Sequence, residues 1–476
     1  MGIIRSIAKN ILAVMIGNIF DTLLNLIISI SLAKYFGQNG FGKVSFLATF
    51  FFFLGSMDNQ WIRPILVRQI SRSEENSARI IGNGLIIKGL ISILAIILFW
   101  IVIWSVHPSS EIVILSFFTS IGLLMASVIS SYETVFQAKL KMGYFVSFSL
   151  GGKLLTLAFI YIIAQLKGNL FHFYLLSLIP GVILLLQIKH YSDKIIKLKF
   201  TLDFELWRMI FKESWPLGLT ALFIFIYHRL DQIILFRLQG PNIAGLYSAS
   251  TRLTETFTIV PVALMASLLP LMSESYQVSL DNFKKMYELA FKYLLVFIIP
   301  VAVGLTIFSD QATIVFYGKE FLPSSLATRI LIWAEVFVFV GIVNNTILIS
   351  SNKQKIDPVF TGTSAAVNIV LNVILIPKYS FIGAAIASLI SYAVGPVMGY
   401  FIPSTTAYSR SMLIFSLRPL LASLLMAYCI SCMHNYFLAS IFISPLIYFS
   451  ALYFLRGITV EDIGIIKSIA LGKNHK

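Results

Sequence analysis

The sequence predicts an all-α, polytopic membrane protein of about fourteen transmembrane helices. Hydrophobic residues make up 58% of the 476 residues and charged residues only 12%, whereas soluble domains carry about a quarter charged residues. The apolar stretches are each about as long as a bilayer-spanning helix requires, roughly 20 residues. The polar stretches between them are short. Such a chain cannot cover itself with a water-facing surface, so lipid is its solvent.

The predicted spans follow one another along the chain, each closed by a charged cluster or a turn with Gly or Pro. The first run carries Asn18, Asp21 and Asn25 and is too long for a signal peptide, so we interpret it as an uncleaved helix. The predicted spans are residues 11–33, 44–66, 80–104, 112–136, 144–166, 170–188, 215–238, 245–272, 289–308, 326–350, 358–376, 382–402, 412–433 and 436–455.

Lys and Arg are concentrated in the loops on one side of the predicted membrane, by about four to one. That side includes both termini and loop residues such as Arg68, Lys141 and Lys284. The positive-inside rule therefore predicts that both termini are cytoplasmic. It also explains the net charge of +15. Nucleic acid is excluded as a partner, because its binders concentrate basic residues on one solvated surface.

The most polar internal stretch, residues 189–214, separates the first six spans from the rest. We expect an amino-terminal six-helix lobe at residues 1–190, a cytoplasmic connector at 191–214 and a second six-helix lobe at 215–404. Residues 405–476 then hold two additional helices and a cytoplasmic tail. Apolar and basic residues alternate in the connector, a pattern typical of a segment lying along an anionic leaflet.

An internal repeat supports the two lobes. The first outer turn and the turn after span seven share the spacing basic-x2-Gly-x4-Gly-x2-Ser, with Lys34, Gly37, Gly42 and Ser45 in one and Arg237, Gly240, Gly245 and Ser248 in the other. Both predicted units begin on the inside and contain six spans. The repeat is therefore expected to be parallel, related by an axis along the membrane normal.

Ionisable residues at membrane depth are costly, so they tend to face a cavity or a partner. In the first lobe these are Asp21, Lys88 and Lys153, all at a similar predicted depth. Two cations facing one anion would leave a net positive charge, as binding of a phosphate or pyrophosphate requires. The alternative is that one lysine pairs with Asp21 and the other extends to the membrane surface.

The second lobe carries Arg229 and Asp231 on span seven and Arg252 and Glu255 on span eight. Their depths predict the pairs Arg229–Glu255 and Asp231–Arg252. These residues form either a structural ion-pair network or, through Arg229 and Arg252, part of a substrate cavity. Glu335 on span ten has no nearby basic residue in the sequence, which makes it a candidate proton or cation site.

Catalytic and cofactor motifs are absent from the sequence. It contains neither a Walker A sequence nor an H-E-x-x-H zinc motif. The longest predicted loops are about 25 residues, too short for a separate catalytic domain. We therefore expect no enzyme and no cofactor, with coupling to a proton or sodium gradient left open.

Five segments, taken in order, resemble the O-antigen and polysaccharide flippases (Wzx type) of the multidrug/oligosaccharidyl-lipid/polysaccharide exporter superfamily. They are Phe36-Gly-Gln-Asn-Gly-Phe-Gly-Lys-Val-Ser, Tyr227-His-Arg-Leu-Asp-Gln-Ile-Ile-Leu, Gly245-Leu-Tyr-Ser-Ala, Phe316-Tyr-Gly-Lys-Glu-Phe, and Ile376-Pro-Lys-Tyr followed by Gly383-Ala-Ala-Ile-Ala. The resemblance implies two six-helix lobes around a central cavity and two further helices. It supplies no conserved site that transfers to particular residues.

The resemblance also implies a function. It is translocation of undecaprenyl-pyrophosphate-linked oligosaccharide repeat units from the inner to the outer leaflet of a bacterial cytoplasmic (inner) membrane, by alternating access. The implied partners are the lipid-linked oligosaccharide, membrane lipids and other polysaccharide-assembly membrane proteins, in O-antigen and lipopolysaccharide biosynthesis. Two alternatives stay open: a multidrug or cation extruder of the same superfamily, and a membrane polysaccharide polymerase.

Overall fold

The computed structural model describes residues 2–72, 76–106, 108–196, 199, 201–401, 406–431 and 437–458, and all regular structure in this part of the chain is helical. The prediction of an all-α protein is confirmed. The predicted tail after residue 458 lies outside the described residues. The helices are α1 (Gly2–Met57), α2 (Arg63–Arg72), α3 (Ser77–Ser105), α4 (Ser110–Ala138), α5 (Met142–Gln165), α6 (Leu170–Asp193), α7 (Phe204–Glu255), α8 (Ile259–Val278), α9 (Leu280–Ile307), α10 (Ser309–Tyr317), α11 (Ser325–Ser350), α12 (Asp357–Met398), α13 (Thr406–Ser431) and α14 (Phe437–Phe454).

Ten helical segments of the described chain are long and apolar enough to cross a membrane. The protein is therefore a multi-pass membrane protein. Three of the ten, Val14–Met57, Phe204–Val278 and Gln354–Met398, have 44, 75 and 45 residues, about twice or more the roughly 20 that one crossing needs. Because each of these contains a break in its helical backbone, the segments do not match the predicted spans one for one. The number of about fourteen stays a prediction.

The breaks in α1, α7 and α12 lie at Gly37, Gly240 and Ser380, which have φ angles of 64°, 82° and 54°. Positive φ is costly for residues with a Cβ and free of that cost for glycine. Two of the three turns thus use the residue type that their backbone favours. Both glycines belong to the predicted sequence repeat, so the repeat marks two real interruptions of helical structure.

The chain forms two compact units, the first made of Met1–Ile259 with Asp357–Ser391 and the second of Val260–Ile356 with Tyr392–Lys476. In the first unit, apolar residues of α2 and α3 such as Leu66, Ile70 and Ile81 form a buried cluster. In the second, Tyr448 of α14 packs with Met426 of α13 and donates a 2.9 Å hydrogen bond to the carbonyl of Val296 on α9. The lobe boundaries drawn from the sequence remain a prediction.

The first turn of α7 is fixed to α3 by polar contacts around Asp203, within the predicted connector. The Asp203 carboxylate accepts a 3.1 Å hydrogen bond from the Leu206 amide and pairs with Arg79. Asn83 accepts hydrogen bonds from the Asp203 amide at 3.1 Å and from the Trp207 indole at 2.8 Å. Asp203 is therefore an N-cap that also carries an ion pair.

We expect Asp203→Ala to loosen the start of α7, because it removes both the cap and the ion pair. The Leu206 amide hydrogen bond, with Arg79, holds the pKa of Asp203 below its usual value. The stabilisation is therefore present above the ordinary aspartate pKa of about 3.9 and is lost as pH falls through the lower folded value. Hydrogen exchange of the α7 first-turn amides, corrected for intrinsic rates, measures this loss.

Asp203→Asn is the matched control, since asparagine caps helices about as well as aspartate but carries no charge. Its first turn should stay protected at neutral pH and lose the acid-dependent step. Equal exchange in wild type and Asp203→Ala would show that the cap does not hold this turn.

Candidate functional site

The first unit contains a partly enclosed cavity of about 260 Å³, whose largely apolar lining carries several charged groups. Its wall is built from the end of α1, the segment that joins α1 to α2, and the facing sides of α3 and α4. Apolar residues such as Phe51 and Ile91 form part of the lining. The polar part of the lining consists of Asp58, Arg63, Lys88, Ser92, Ser127, Ser130 and Glu133.

The segment between α1 and α2 is a π-helical turn, Asp58–Ile62. Such turns are rare and occur frequently at functional sites. Here the turn places Asp58 on the cavity wall. It also carries Trp61, whose indole donates a 2.7 Å hydrogen bond to Ser214 of α7. The turn therefore links the cavity to α7.

Four charges of alternating sign form a chain along the cavity wall. The Lys88 Nζ lies 2.6 Å from Asp58 Oδ1, and Arg63 Nε donates to Asp58 Oδ2 at 2.8 Å. Arg63 Nη1 also lies 2.5 Å from Glu133 Oε1. Two cations thus meet two carboxylates, and the cluster is neutral as a whole.

Lys88 is held from several directions and is only 5% exposed. Besides Asp58, its amine donates to the Ser130 hydroxyl at 3.1 Å and the Thr134 hydroxyl at 2.9 Å. A buried amine tolerates its desolvation only with such partners. The hydroxyls of α4 therefore fix where this cation points.

The expectation that Lys88 and Lys153 face Asp21 together is wrong. Lys88 pairs with Asp58, whereas Lys153 pairs with Asp21 and donates a 2.9 Å hydrogen bond to Asn25. Each lysine has a carboxylate of its own, so the net positive charge inferred from the sequence does not arise.

Sequence reasoning missed three members of the cavity cluster: Asp58, Arg63 and Glu133. All three lie inside the predicted spans 44–66 and 112–136. The rule that selected Lys88, that charges at membrane depth are informative, would have selected them as well. Arg63 and Glu133 stand near predicted span ends, where charged residues are ordinary. Asp58 lies as deep in its predicted span as Lys88 does, so the same rule, fully applied, would have found it.

On α7, the predicted pair of Arg229 and Glu255 is confirmed. Both terminal nitrogens of Arg229 donate to the two Glu255 oxygens at 2.8 Å, a bidentate geometry. The guanidinium also lies over the ring of Phe52, 4.5 Å from its centre. Arg252 lies on α7 as well, three residues before Glu255.

The predicted pairing of Asp231 with Arg252 is not what the structure shows. Asp231 accepts hydrogen bonds from the hydroxyls of Tyr247 and Ser388 and from the Gln232 amide. It is 2% exposed. The hydrogen-bond donors to this carboxylate are thus neutral groups, supplied by α7 and α12. The predicted depth of Asp231 in the membrane could not show whether its partner is a hydroxyl group or an arginine.

Two buried asparagine side chains lie on the part of α12 that belongs to the first unit. Asn368 donates to Ser391 at 3.0 Å, and Asn372 donates to Asn368 at 2.8 Å. Glu335, on α11 of the second unit, is buried as well. Within the described residues, no group of three or more His, Cys, Asp or Glu side chains could hold a metal ion.

The chain is similar to known proteins in sequence and in fold. A family model described as "Polysaccharide biosynthesis protein" matches residues 7–276, more than half of the chain. Among curated proteins, the chain is 25% identical over 175 residues to the "Probable low-salt glycan biosynthesis flippase Agl15" of Haloferax volcanii, covering 37% of each protein. It is 29% identical over 175 residues to the "Lipid II flippase MurJ" of Bacillus subtilis, covering 34% of this chain and 32% of the relative.

These matches span about a third of the length of the two curated relatives. A solved structure of "Lipid II flippase MurJ, inward closed conformation" is similar over nearly the whole chain, with a TM-score of 0.76 at 19% identity, covering 92% of this chain and 97% of that one. That likeness shows a shared fold. The resemblance to polysaccharide flippases drawn from the sequence is confirmed at the level of family.

Proposed function

Because the chain belongs to the polysaccharide biosynthesis protein family, we propose that it is a flippase for lipid-linked oligosaccharides and not an enzyme. Its cargo is an undecaprenyl-pyrophosphate-linked repeat unit, moved from the inner to the outer leaflet of the cytoplasmic membrane by alternating access. Both termini are cytoplasmic in this proposal. Two relatives named as flippases and the MurJ-like fold support it.

The observation that carries the proposal is the charge cluster on the wall of the cavity in the first unit. Arg63 and Lys88 are the two cationic groups that line it. A guanidinium matches the geometry of phosphate oxygens, and an ammonium binds them as a point charge. Both are already neutralised by carboxylates. A pyrophosphate must therefore compete with Asp58 for these two cations.

The cavity volume limits what can enter. Pockets for small molecules usually measure about 300–1,000 Å³, and this one measures about 260 Å³. It would take the pyrophosphate and little more. In the proposal, two further groups of residues contact other parts of the head group. One is Lys153 with Asp21 and Asn25, and the other is Arg229 with Arg252.

Coupling to an ion gradient is proposed at Asp231. The hydrogen-bond donors to Asp231 are neutral, so a bound proton or Na⁺ would neutralise its carboxylate. We expect Asp231→Asn to remove the dependence of transport on a cation gradient, since the amide keeps the shape without the charge. Transport is measured in proteoliposomes with and without imposed proton or sodium gradients.

Asp310→Asn is the matched control, because Asp310 is a more exposed carboxylate paired with Arg329. It should keep the gradient dependence of the wild type. An Asp231→Asn protein that still responds fully to both gradients would contradict the assignment.

The function itself is tested with purified protein in liposomes. A fluorescent polyprenyl-pyrophosphate-linked sugar is placed in one leaflet, and its appearance in the other is followed by accessibility to a membrane-impermeant quencher. Movement of this lipid, unaffected by cationic dyes, is the expected result. Dye transport without lipid movement would instead support a multidrug extruder.

The biosynthetic setting follows from the same proposal. Synthesis of O-antigen or another lipopolysaccharide component would require neighbouring assembly proteins in the membrane. Deleting the protein should abolish surface polysaccharide in its native cell while lipid-linked intermediates accumulate. Normal polysaccharide after deletion would remove this part of the proposal.

A further inference from the structure

The end of α4, the start of α5 and the end of α6 pack around one buried cluster. Its buried members are Tyr132 and Phe136 of α4, Met142 of α5 and Ile188 of α6. The turn between α4 and α5 is short, and the Lys141 amide in it donates a 2.8 Å hydrogen bond to the carbonyl of Phe136. The three helix ends, and the polar residues that they carry, are therefore held side by side.

Aromatic rings form a stack across α5 and α6 at these ends. The ring centre of Tyr191 on α6 lies 5.5 Å from that of Tyr144 and 5.1 Å from that of Phe148, both on α5. Tyr144 and Tyr191 are 50% and 37% exposed. Exposed tyrosine is typical of the membrane–water interface, because its ring is apolar and its hydroxyl is polar. The stack therefore marks the level of the lipid head groups.

Two lysines flank the stack, one at the end of each helix. The Lys194 amine lies over the Tyr191 ring, 5.1 Å from its centre. Lys141 directly precedes α5 and is exposed. It stands three residues before Tyr144, so the two side chains share a face. We call Lys141, Tyr144, Tyr191 and Lys194 the basic–aromatic patch.

The charge of the patch is not balanced by acidic neighbours. Neither of its lysines forms an ion pair with a carboxylate of the described residues. Asp193 is the nearest acidic residue in the sequence, and it shares a helix face with Lys189, away from Tyr191. Other cations of the predicted cytoplasmic side do have such partners, as Arg68 has in Glu213. The patch is therefore a surface of net positive charge.

Helix dipoles do not explain both lysines. Lys194 follows the carboxyl end of α6, where a cation is stabilising. Lys141 precedes the amino end of α5, where a cation is destabilising. The first turn of α5 contains no acidic residue that would offset it. The two lysines together are best explained by an anion that comes from outside the chain.

We propose that the basic–aromatic patch binds the head group of an anionic membrane phospholipid, such as phosphatidylglycerol. The two ammonium groups bind the phosphate as point charges, and the tyrosine hydroxyls donate to its oxygens. A lipid fits better than a free anion, because Leu140 beside Lys141 exposes an apolar side chain. Basic pockets on the cytoplasmic side of membrane helices bind such head groups. No residue that lines the cavity of the first unit comes from α5 or α6, so the patch is separate from it.

The test measures lipid binding to the purified full-length protein by native mass spectrometry. Phosphatidylglycerol is compared with zwitterionic phosphatidylcholine, and the wild type should bind the anionic lipid more tightly. Lys141→Gln with Lys194→Gln should weaken phosphatidylglycerol binding by about 25-fold, since each lysine near an anionic lipid contributes about five-fold. Phosphatidylcholine binding should not change. If the double variant does not fold, Lys194→Gln alone carries the test, with an expected loss of about five-fold.

Lys167→Gln with Lys378→Gln is the matched control, because both lysines are exposed and lie on the predicted outer side. It removes the same charge as the patch variant and should bind phosphatidylglycerol as the wild type does. An equal loss in this control would show only attraction to net positive charge, and would overturn the site. Unchanged phosphatidylglycerol binding in the patch variant would overturn it too.

The same measurement separates the phospholipid from the proposed cargo. The patch variant should still bind the fluorescent polyprenyl-pyrophosphate lipid as the wild type does. Loss of that lipid with phosphatidylglycerol binding intact would mean that the patch receives the cargo, and would overturn the assignment to phospholipid. Because binding is measured without transport, a negative result here leaves the proposed flippase function standing.

Discussion

Lys88→Ala should lose lipid transport while the protein remains folded in the membrane. The variant keeps Asp58 paired with Arg63, so no carboxylate of the cavity is left without a cation. The cavity nevertheless becomes net negative and repels a pyrophosphate. Truncating one partner of a buried charged contact costs about 2–5 kcal/mol of binding, roughly a 30-fold or greater loss of affinity. Binding and flipping of the fluorescent lipid measure it.

Two further variants separate a binding role from charge balance. Lys284→Ala removes a lysine that is largely exposed and 3.9 Å from Glu288, and it should transport normally. Lys88→Met with Asp58→Asn returns the cavity to neutrality without the amine. We expect this double variant to stay inactive. Full recovery of transport would mean that Lys88 only balances Asp58, and the substrate-binding assignment would be wrong.

Much of the fold was predictable because the bilayer imposes it. Within hydrocarbon the backbone must satisfy its own hydrogen bonds, so apolar runs of about 20 residues become helices. Turn glycines could be recognised too, since Gly37 and Gly240 occupy backbone conformations that other residues avoid. The π-helical turn at Asp58–Ile62 could not be anticipated, because no hydrophobic period distinguishes one extra residue in a turn.

The site was predictable in its residue types and not in its pairings. Depth along the helices correctly predicted that Arg229 lies beside Glu255, because the turn at Gly240 brings these two residues together. The partner of Lys88 depended on how α1 packs against α3, and a sequence gives no angle between them. Asp231 illustrates the same limit. Its hydroxyl donors come from positions 16 and 157 residues away.

The second large effect is expected at Arg229. Removing one partner of a buried ion pair costs about 3–5 kcal/mol of stability, and we expect Arg229→Met to fall near the lower value because the Glu255 side chain is 22% exposed. Replacing both partners with apolar residues is often neutral or stabilising. Arg229→Met with Glu255→Leu should therefore regain most of the lost thermal stability, measured by unfolding in detergent.

Transport by that double variant decides between the two roles left open for the pair. A structural pair needs only to be packed and neutral, so a stable apolar replacement would transport at the wild-type rate. A pair that exchanges its glutamate for a phosphate needs the guanidinium itself, whose stacking on Phe52 presents it in a fixed orientation. Since we propose that Arg229 contacts the head group, we expect the double variant to be stable and inactive. Wild-type flipping by this protein would assign Arg229 and Glu255 to structure alone.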